Sequence, residues 1–257
     1  MSHHDDVVRQ SFTVQAAAYA AQPWISDTER VALLVATAAP KTEDRVLDVA
    51  CGPGYVAEAF AQACRSVVGV DLTEAPLRIA EERCRTRGLT NLSFMIGNVQ
   101  QLPFGNGEFD LVVCRLAMHH FAQPQRVVTE MARVCRTGET VVVEDILASE
   151  HAARAAYQHR VEVLRDPSHV RTLSLSELLC LFRDAGIEVE RVITGEVVPE
   201  VERWLATTKA SPEHAAEVRH LIEADMAKDL SGTRPFRDEQ GRLRFHHLSA
   251  IVAGRKL

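Results

Sequence analysis

Short apolar runs alternate with stretches of helical periodicity between residues 45 and 150. The runs are apolar at nearly every position, which is typical of strands that are covered on both faces of a parallel sheet. The pattern predicts strands at residues 46–49, 67–70, 92–96, 109–114 and 140–144, and helices at residues 55–63, 75–87 and 124–135. This alternation predicts an α/β fold with helices on both faces of a parallel sheet.

The flanking segments follow a different pattern. Two helices are expected before the first strand, at residues 7–20 and 28–39, with Ser26 or Asp27 as N-cap of the second. After residue 150 the pattern predicts helices near 152–164 and at 176–185, a strand at 188–194, two helices within 200–230 and a final strand at 243–253. No crossover helix follows that last strand, so it can lie antiparallel beside its predecessors.

Composition narrows the class of protein. The chain has 257 residues, of which 46% are hydrophobic and 25% charged, as expected for a globular protein with a full core. A net charge of −6 argues against a nucleic-acid partner. Six cysteines without a CxxC pair indicate a reduced protein without a structural zinc or other metal site. The longest uncharged apolar run, residues 31–39, is too short to span a membrane, and the first residues do not resemble a signal peptide, so we expect a cytoplasmic protein.

The most informative segment is residues 46–54, Val-Leu-Asp-Val-Ala-Cys-Gly-Pro-Gly. A strand that ends near an acid, turns through two glycines and starts a helix is typical of a site for a nucleotide-like ligand, because glycine lets the ligand approach the backbone. Asp71 closes the next apolar run, near the position of an acid that binds a ribose. This spacing matches the dinucleotide fingerprint, but it is equally compatible with other nucleoside ligands.

Two residues argue against a dinucleotide. Pro53 has no N–H to direct at a pyrophosphate, and the carboxylate of Asp48 would repel phosphate charges but attract a cationic amino group. A ligand with an adenine, a ribose, a sulfonium and an ammonium group, and without phosphate, fits both residues. The sequence therefore favours S-adenosylmethionine over NAD.

Five further segments follow residues 46–54 along the chain. They are residues 68–72, 97–104, 109–112, 118–121 and 130–139. In this ordered set the chain resembles the class I S-adenosylmethionine-dependent methyltransferases, within the ubiquinone/menaquinone-methyltransferase-like group (methyltransferase domain 11 type). The resemblance implies a Rossmann-like, seven-stranded, mostly parallel sheet whose last strand is antiparallel. It also implies an N-terminal helical lid at residues 1–42, followed by the methyltransferase domain at 43–257 with a helical insertion at about 199–231.

The resemblance also implies a set of donor-binding residues. Gly52 and Gly54 would approach the methionine half, which Asp48 helps to orient, and Asp71 would bind the ribose hydroxyls. The family usually has an acid at the position of Asn98, and an amide oxygen can also accept from the adenine amino group. The remaining expected donor contacts are the adenine neighbours Leu72 and Val99, the pocket residue Arg115 and the lid residue Tyr19.

Candidate acceptor-side residues lie in two polar segments and the lid. His119 and His120 follow the strand at 109–114, where a neutral imidazole can accept a proton, although His120 equally fits a structural role. In residues 165–171, His169 is a second candidate base and Arg171 a candidate partner for an acceptor oxygen, although a solvated loop is an equal alternative. Trp24 is expected to close the acceptor pocket or simply to pack between helices.

These features together predict an S-adenosylmethionine-dependent methyltransferase that acts on a small organic acceptor. The sequence leaves open whether oxygen, nitrogen or carbon is methylated, and whether the protein is a monomer or a homodimer. One alternative is an isomerase or cyclase that keeps the donor-binding scaffold without transferring the methyl group. An NAD-linked oxidoreductase is a less favoured alternative.

Overall fold

The structure, a computed structural model, describes residues 3–257. The described residues form nine α-helices: α1 (His3–Ala20), α2 (Thr28–Ala38), α3 (Tyr55–Ala61), α4 (Glu74–Thr86), α5 (Pro124–Val134), α6 (Ala152–Arg165), α7 (Leu175–Asp184), α8 (Val201–Thr208) and α9 (Pro212–Asp225). They also form nine strands: β1 (Arg45–Val49), β2 (Ser66–Asp71), β3 (Leu92–Ile96), β4 (Phe109–Arg115), β5 (Cys135–Ile146), β6 (Ile187–Val197), β7 (Phe236–Arg237), β8 (Leu243–Arg244) and β9 (His247–Lys256). Residues 1 and 2 of the predicted lid lie outside the described residues.

Seven of the strands form one sheet in the order β3-β2-β1-β4-β5-β9-β6. The strands from β3 to β5 pair in parallel, and β9 inserts antiparallel between β5 and β6. The predicted seven-stranded, mostly parallel sheet with an antiparallel last strand is confirmed. The strand order reverses between β1 and β4, and ligands of open α/β sheets bind at the carboxyl ends of the strands at such a reversal.

Apolar cores cover both faces of the sheet. In β1, Leu47 packs into the core that includes α5 and α7, whereas its neighbour Val46 packs into the core that includes α2 and α3. Val112 and Val113 of β4 divide in the same way. Successive strand side chains point to opposite faces, so a strand between two helical layers must be apolar throughout, as the sequence pattern predicts.

The final strand differs from its prediction at residues 243–253. The structure divides it into β8, which pairs with β7 in a separate hairpin, and β9, which joins the main sheet. Phe245 lies at the break and packs against Trp204 of α8, while the backbone N–H of His246 bonds to the carbonyl of Thr233. The chain leaves the strand because Phe245 is buried in another cluster.

That cluster is a third apolar core, formed mainly by α6, α8, α9 and Phe245. The helices α8 and α9 lie within the predicted insertion, and Trp204 and Leu205 of α8 are buried there. None of the helices within residues 3–257 is both long and apolar enough to cross a membrane.

Candidate functional site

A cavity of about 960 Å³, including its opening, lies at the carboxyl ends of β1, β2 and β4. We call it the first cavity. Backbone strain marks its rim, because Ala50 after β1 and Leu116 after β4 have positive φ values of 56° and 52°. The helix α1 closes one side, and the lining includes most predicted donor residues: Tyr19, Asp48, Gly52, Asp71, Leu72, Asn98, Val99 and Arg115.

Asp48 is the most deeply buried acid of this cavity. It is only 1% exposed, and its Oδ2 atom has no hydrogen-bond partner among the described residues. Burial raises the pKa of Asp48 to about 8, against the lowering effect of a backbone hydrogen bond from Ala57. Ionising a buried acid whose oxygen lacks a hydrogen-bond partner is costly, and a cationic ligand group would relieve that cost. The position therefore fits the ammonium group of S-adenosylmethionine.

The backbone of the glycine loop is already hydrogen bonded. The N–H of Cys51 donates to the carbonyl of Val70, that of Gly52 to Asp71 Oδ2, and that of Gly54 to the carbonyl of Cys51, over 2.9–3.0 Å. Pro53 has no N–H. Residues 51–54 therefore have no unbound N–H for a pyrophosphate, which disfavours a dinucleotide on physical grounds.

The two glycines of the loop have different roles. Gly52 has a φ of +50°, and a Cβ there would enter the open space of the first cavity, since no atom lies within 4 Å. Gly54 does not line the cavity. Its φ is +78°, and a Cβ would lie 2.7 Å from the Cβ of Ala80 on α4. Gly54 therefore allows close packing between the loop and α4, and its contact with the ligand stays a prediction.

Asp71 closes the floor of the first cavity at the end of β2. Its Oδ2 accepts from the Gly52 N–H and its Oδ1 from the Thr73 N–H, each over 2.9 Å. Burial raises the pKa of Asp71 to about 6, while these backbone bonds oppose the rise. The side chain is therefore mostly ionised at neutral pH, with acceptor capacity left for hydroxyl groups.

The amide of Asn98 is oriented by its neighbours. Its Oδ1 accepts the Gln100 N–H over 2.9 Å, so its Nδ2 faces the lid and donates to Asp5 Oδ2 over 3.3 Å. In the reverse orientation the amino group of Asn98 would face the N–H of Gln100, so that two donors would lie against each other. The predicted acceptor of Asn98 is thus committed to its own loop, and the amide presents a donor toward α1.

A second cavity, of about 620 Å³ including its opening, adjoins the first. The wall between them is formed by residues that line both: Phe12, Tyr19, Ile25, Leu116 and His120. The far side is lined by polar and aromatic side chains, including Trp24, His119, Glu162, Arg165, Asp166, Trp204 and His247. Arg165 stacks on the ring of Trp204, with its guanidinium carbon 4.3 Å from the ring centre. Two ligands, one in each cavity, would meet at the shared wall.

His119 lies on the wall of the second cavity and is held by Asp145. Its Nδ1 atom is 2.7 Å from Asp145 Oδ1, and its backbone N–H donates to the other carboxylate oxygen. Burial lowers the pKa of His119, but the charge and hydrogen bond of Asp145 outweigh that effect and raise it above its usual value. A carboxylate on Nδ1–H leaves Nε2 as the basic nitrogen, the arrangement of a general base.

His120 lies at the junction of the cavities. Its Nδ1 donates to the carbonyl of Ser168 over 3.0 Å, and the ring of Phe12 meets it edge-on at 5.0 Å. Burial, then the neighbouring charge of His119, lowers the pKa of His120 to about 4. The ring is therefore neutral near pH 7 and forms part of the wall between the cavities.

His169 and Arg171, two other predicted site residues, line neither cavity. His169 is buried behind His119, with ring centres 5.6 Å apart, and neither ring nitrogen has a hydrogen-bond partner in residues 3–257. Arg171 is half exposed and pairs with Glu177 at 2.6 Å. Since neither side chain lines a cavity, their predicted roles as base and substrate contact lack geometric support and stay predictions.

Arg115 lines the first cavity and also holds the N-terminal segment. It bonds to Glu144 through Nε and to the backbone carbonyls of Ile25 and Trp24 through its terminal nitrogens. The hydroxyl of Tyr55 donates to the carbonyl of Ala20 over 2.8 Å. The end of α1 is thereby tied to α3, and the linker to α2 is tied to β4.

Several residues of the site escape sequence inspection. Asp145 follows the predicted strand end at residue 144, and an acid at a strand's carboxyl end is a signal that could have found it. Asp5 and Trp204 come from the remote helices α1 and α8. Only the tertiary packing brings them to the cavities.

The strand order, the apolar parallel strands and the two acids beside a glycine loop define a class I S-adenosylmethionine-dependent methyltransferase. The Methyltransferase domain family matches residues 47–143. A relative described as the uncharacterized methyltransferase YcgJ of Bacillus subtilis strain 168 is 30% identical over 85% of this chain and 87% of its own length. The chain therefore belongs to the methyltransferase family, which favours S-adenosylmethionine over the NAD-linked oxidoreductase alternative.

Solved structures agree with this membership. The crystal structure of YcgJ superposes with a TM-score of 0.82 over 89% of this chain and 98% of that chain, at 27% identity. The BH2331 protein of Bacillus halodurans C-125 superposes with a TM-score of 0.83, covering 89% of this chain and 99% of that one, at 31% identity. The [4+2]-cyclase SpnF shares the fold at a TM-score of 0.63 and 18% identity, over 89% of this chain and 80% of its own.

Proposed function

We propose that this protein transfers a methyl group from S-adenosylmethionine to a hydroxyl group of a small organic acceptor. The first cavity holds the donor and the second cavity holds the acceptor. The observation that carries the proposal is the His119–Asp145 pair on the wall of the second cavity, next to the wall that both cavities share.

The donor side supplies binding and orientation. S-adenosylmethionine contributes an electrophilic methyl group on a sulfonium, so the protein needs mainly to align the two reactants. Asp48 attracts the ammonium group in its ionised form, and Asp71 accepts from the ribose hydroxyls. Leu72 and Val99 provide apolar contact for the adenine, and Gly52 keeps the loop open to the ligand.

The acceptor side supplies a base. A hydroxyl oxygen is a weak nucleophile until it loses its proton, whereas a neutral amine already carries an available lone pair. His119 accepts that proton at Nε2, and Asp145, bonded at Nδ1, stabilises the resulting imidazolium. Trp24 and Trp204 offer aromatic contact to the acceptor. The dyad therefore favours methylation of oxygen.

The test is to incubate the protein with S-adenosylmethionine carrying a deuterated methyl group and a fractionated extract of small molecules. Mass spectrometry should detect a labelled product together with S-adenosylhomocysteine, and fragmentation should locate the label on oxygen. A converted substrate without S-adenosylhomocysteine would instead support the cyclase or isomerase alternative. A label on nitrogen would contradict the role given to His119.

A further inference from the structure

The far side of the second cavity contains a cation with unused hydrogen-bond donors. Arg165, the last residue of α6, lines this cavity, and its side chain is 11% exposed. The guanidinium group carries five N–H donors. Nη2 donates to Asp166 Oδ2 over 3.3 Å, whereas Nε lies 3.7 Å from Glu162, too far for a hydrogen bond. Nη1 has no hydrogen-bond partner within residues 3–257, and the contact with Trp204 fixes the direction of the group.

Two buried acids already offset the charge of Arg165. Glu162 is 2% exposed, and its Oε1 lies 2.9 Å from Nε2 of His247. Burial raises the pKa of Glu162, but the charge of Arg165 and the hydrogen bond of His247 outweigh that effect and hold the pKa well below its usual value. Asp166 accepts from the N–H and the hydroxyl of Ser168 over 2.9 and 2.5 Å. A full negative charge on a ligand would therefore meet two carboxylates beside Arg165.

We infer that Arg165 binds an uncharged carbonyl oxygen of the methyl acceptor, an inference that rests on the proposed function. A carbonyl oxygen accepts from the open Nη1 donors without adding charge between the two acids. Removing N–H donors from water is costly when they stay unbonded, so a ligand that bonds them is favoured. Arg165 thus acts as a residue that determines acceptor specificity.

The remaining wall of the second cavity favours a flat acceptor. Only 5% of the residues of the chain are aromatic, yet its two tryptophans, Trp24 and Trp204, both line this cavity. Aromatic side chains offer broad contact surfaces for a planar ring. His119 and Arg165 line the same cavity, so one molecule can present a hydroxyl to the first and a carbonyl to the second. We therefore expect a planar hydroxy compound that carries a carbonyl group.

The test measures the binding of three phenols to the protein saturated with S-adenosylhomocysteine. The ligand 3′-hydroxyacetophenone carries a ketone, 3-ethylphenol replaces the carbonyl by a methylene, and 3-hydroxybenzoate carries a carboxylate. Calorimetry should show that the wild type binds the ketone about tenfold more tightly than either of the others, as expected for a hydrogen bond to a charged group.

Two variants test the role of the guanidinium group. In Arg165→Met the preference for the ketone over 3-ethylphenol should fall to near unity. Arg165→Lys keeps the charge beside Glu162 and Asp166, but its shorter side chain lacks the planar fork, so the preference should fall there too. Arg160→Lys is the matched control, because Arg160 lies on the same helix, is exposed and pairs with Glu217. It should keep the wild-type ratios, and thermal unfolding confirms that each variant is folded.

The outcomes separate this inference from the proposed function, since no methyl transfer is measured. Equal binding of the ketone and 3-ethylphenol by the wild type, or an unchanged preference in both Arg165 variants, would overturn the inference. Tighter binding of 3-hydroxybenzoate would overturn it as well, because the site would then take an anion. Absence of binding by all three phenols would overturn the flat acceptor. Failure of S-adenosylhomocysteine itself to bind would instead overturn the donor assignment of the proposed function.

Discussion

Glu144 and Asp145 are consecutive in β5 but serve opposite sides of the sheet. Glu144 forms ion pairs with Arg30 of α2 and with Arg115, which holds the linker before α2. Asp145 holds His119. Successive strand residues point to opposite faces, so the end of β5 holds the N-terminal helices on one side and orients the candidate base on the other.

Replacing the candidate base should affect the chemical step. We expect His119→Gln to lower kcat by about 10²- to 10⁴-fold, the usual contribution of a positioned base. Affinity for S-adenosylhomocysteine should change little, because His119 does not line the first cavity. Methyl-transfer kinetics and calorimetry measure the two effects. His214→Gln, at an exposed position of α9, is the control and should behave as wild type.

The pH dependence of kcat should report the His119–Asp145 pair. Activity should rise with pH as His119 loses its proton, because only the neutral ring accepts one. Asp145 raises the pKa of His119. In Asp145→Asn the acidic limb of the profile should therefore move to lower pH, while the plateau falls because the imidazole is less well oriented. A limb that stays in place would show that another group controls it.

Asp48 should make donor binding depend on pH. Its pKa of about 8 means that it is mostly protonated at pH 7 in the free protein. Binding of an ammonium group requires the ionised form, so binding should release a proton. We expect the affinity for S-adenosylhomocysteine to rise by up to about tenfold per unit between pH 6 and 7.5. Calorimetry in buffers of different ionisation enthalpy measures the proton release, which Asp48→Asn should abolish.

The same residue should cost stability in the ligand-free protein. The carboxyl of Asp48 stays protonated in the fold up to about pH 8, but ionises near its ordinary pKa of 3.8 in the unfolded chain. The contribution of Asp48 to the free energy of unfolding is therefore fully present below pH 4 and is lost as the pH rises toward 8. Asp48→Asn should raise the Tm at pH 8, by about 2–4 °C for each kcal/mol recovered. A lower Tm at pH 8 would contradict this account of Asp48.

The two loop glycines should separate binding from stability. Gly54→Ala combines a left-handed φ with a contact against Ala80, so we expect a loss of about 1–3 kcal/mol in unfolding free energy. Gly52→Ala carries only the cost of φ, about 1 kcal/mol, but its methyl group enters the first cavity. Gly52→Ala should therefore lose more donor affinity than Gly54→Ala. Denaturant unfolding and calorimetry compare the pair, and the opposite ranking would contradict these roles.

The sequence by itself determined the α/β class, the antiparallel direction of the last strand of the sheet, and the acids at the ends of β1 and β2. These features depend on local patterns: an apolar run, a glycine turn and a terminal carboxylate are readable from consecutive residues. It also pointed to His119. His169, Arg171 and Gly54, which it also proposed, do not line either cavity, because the direction of a side chain beyond a strand depends on what packs around it.

Only the tertiary structure decided which distant side chains meet. Asp145 of β5 reaches His119, which follows the neighbouring strand β4, and Asp5 reaches Asn98 over a separation of 93 residues. The last predicted strand is interrupted at Phe245, which packs against Trp204 in a separate core. Such contacts follow from how the helices pack over the sheet, and that packing is set by the summed burial of many side chains rather than by any local motif.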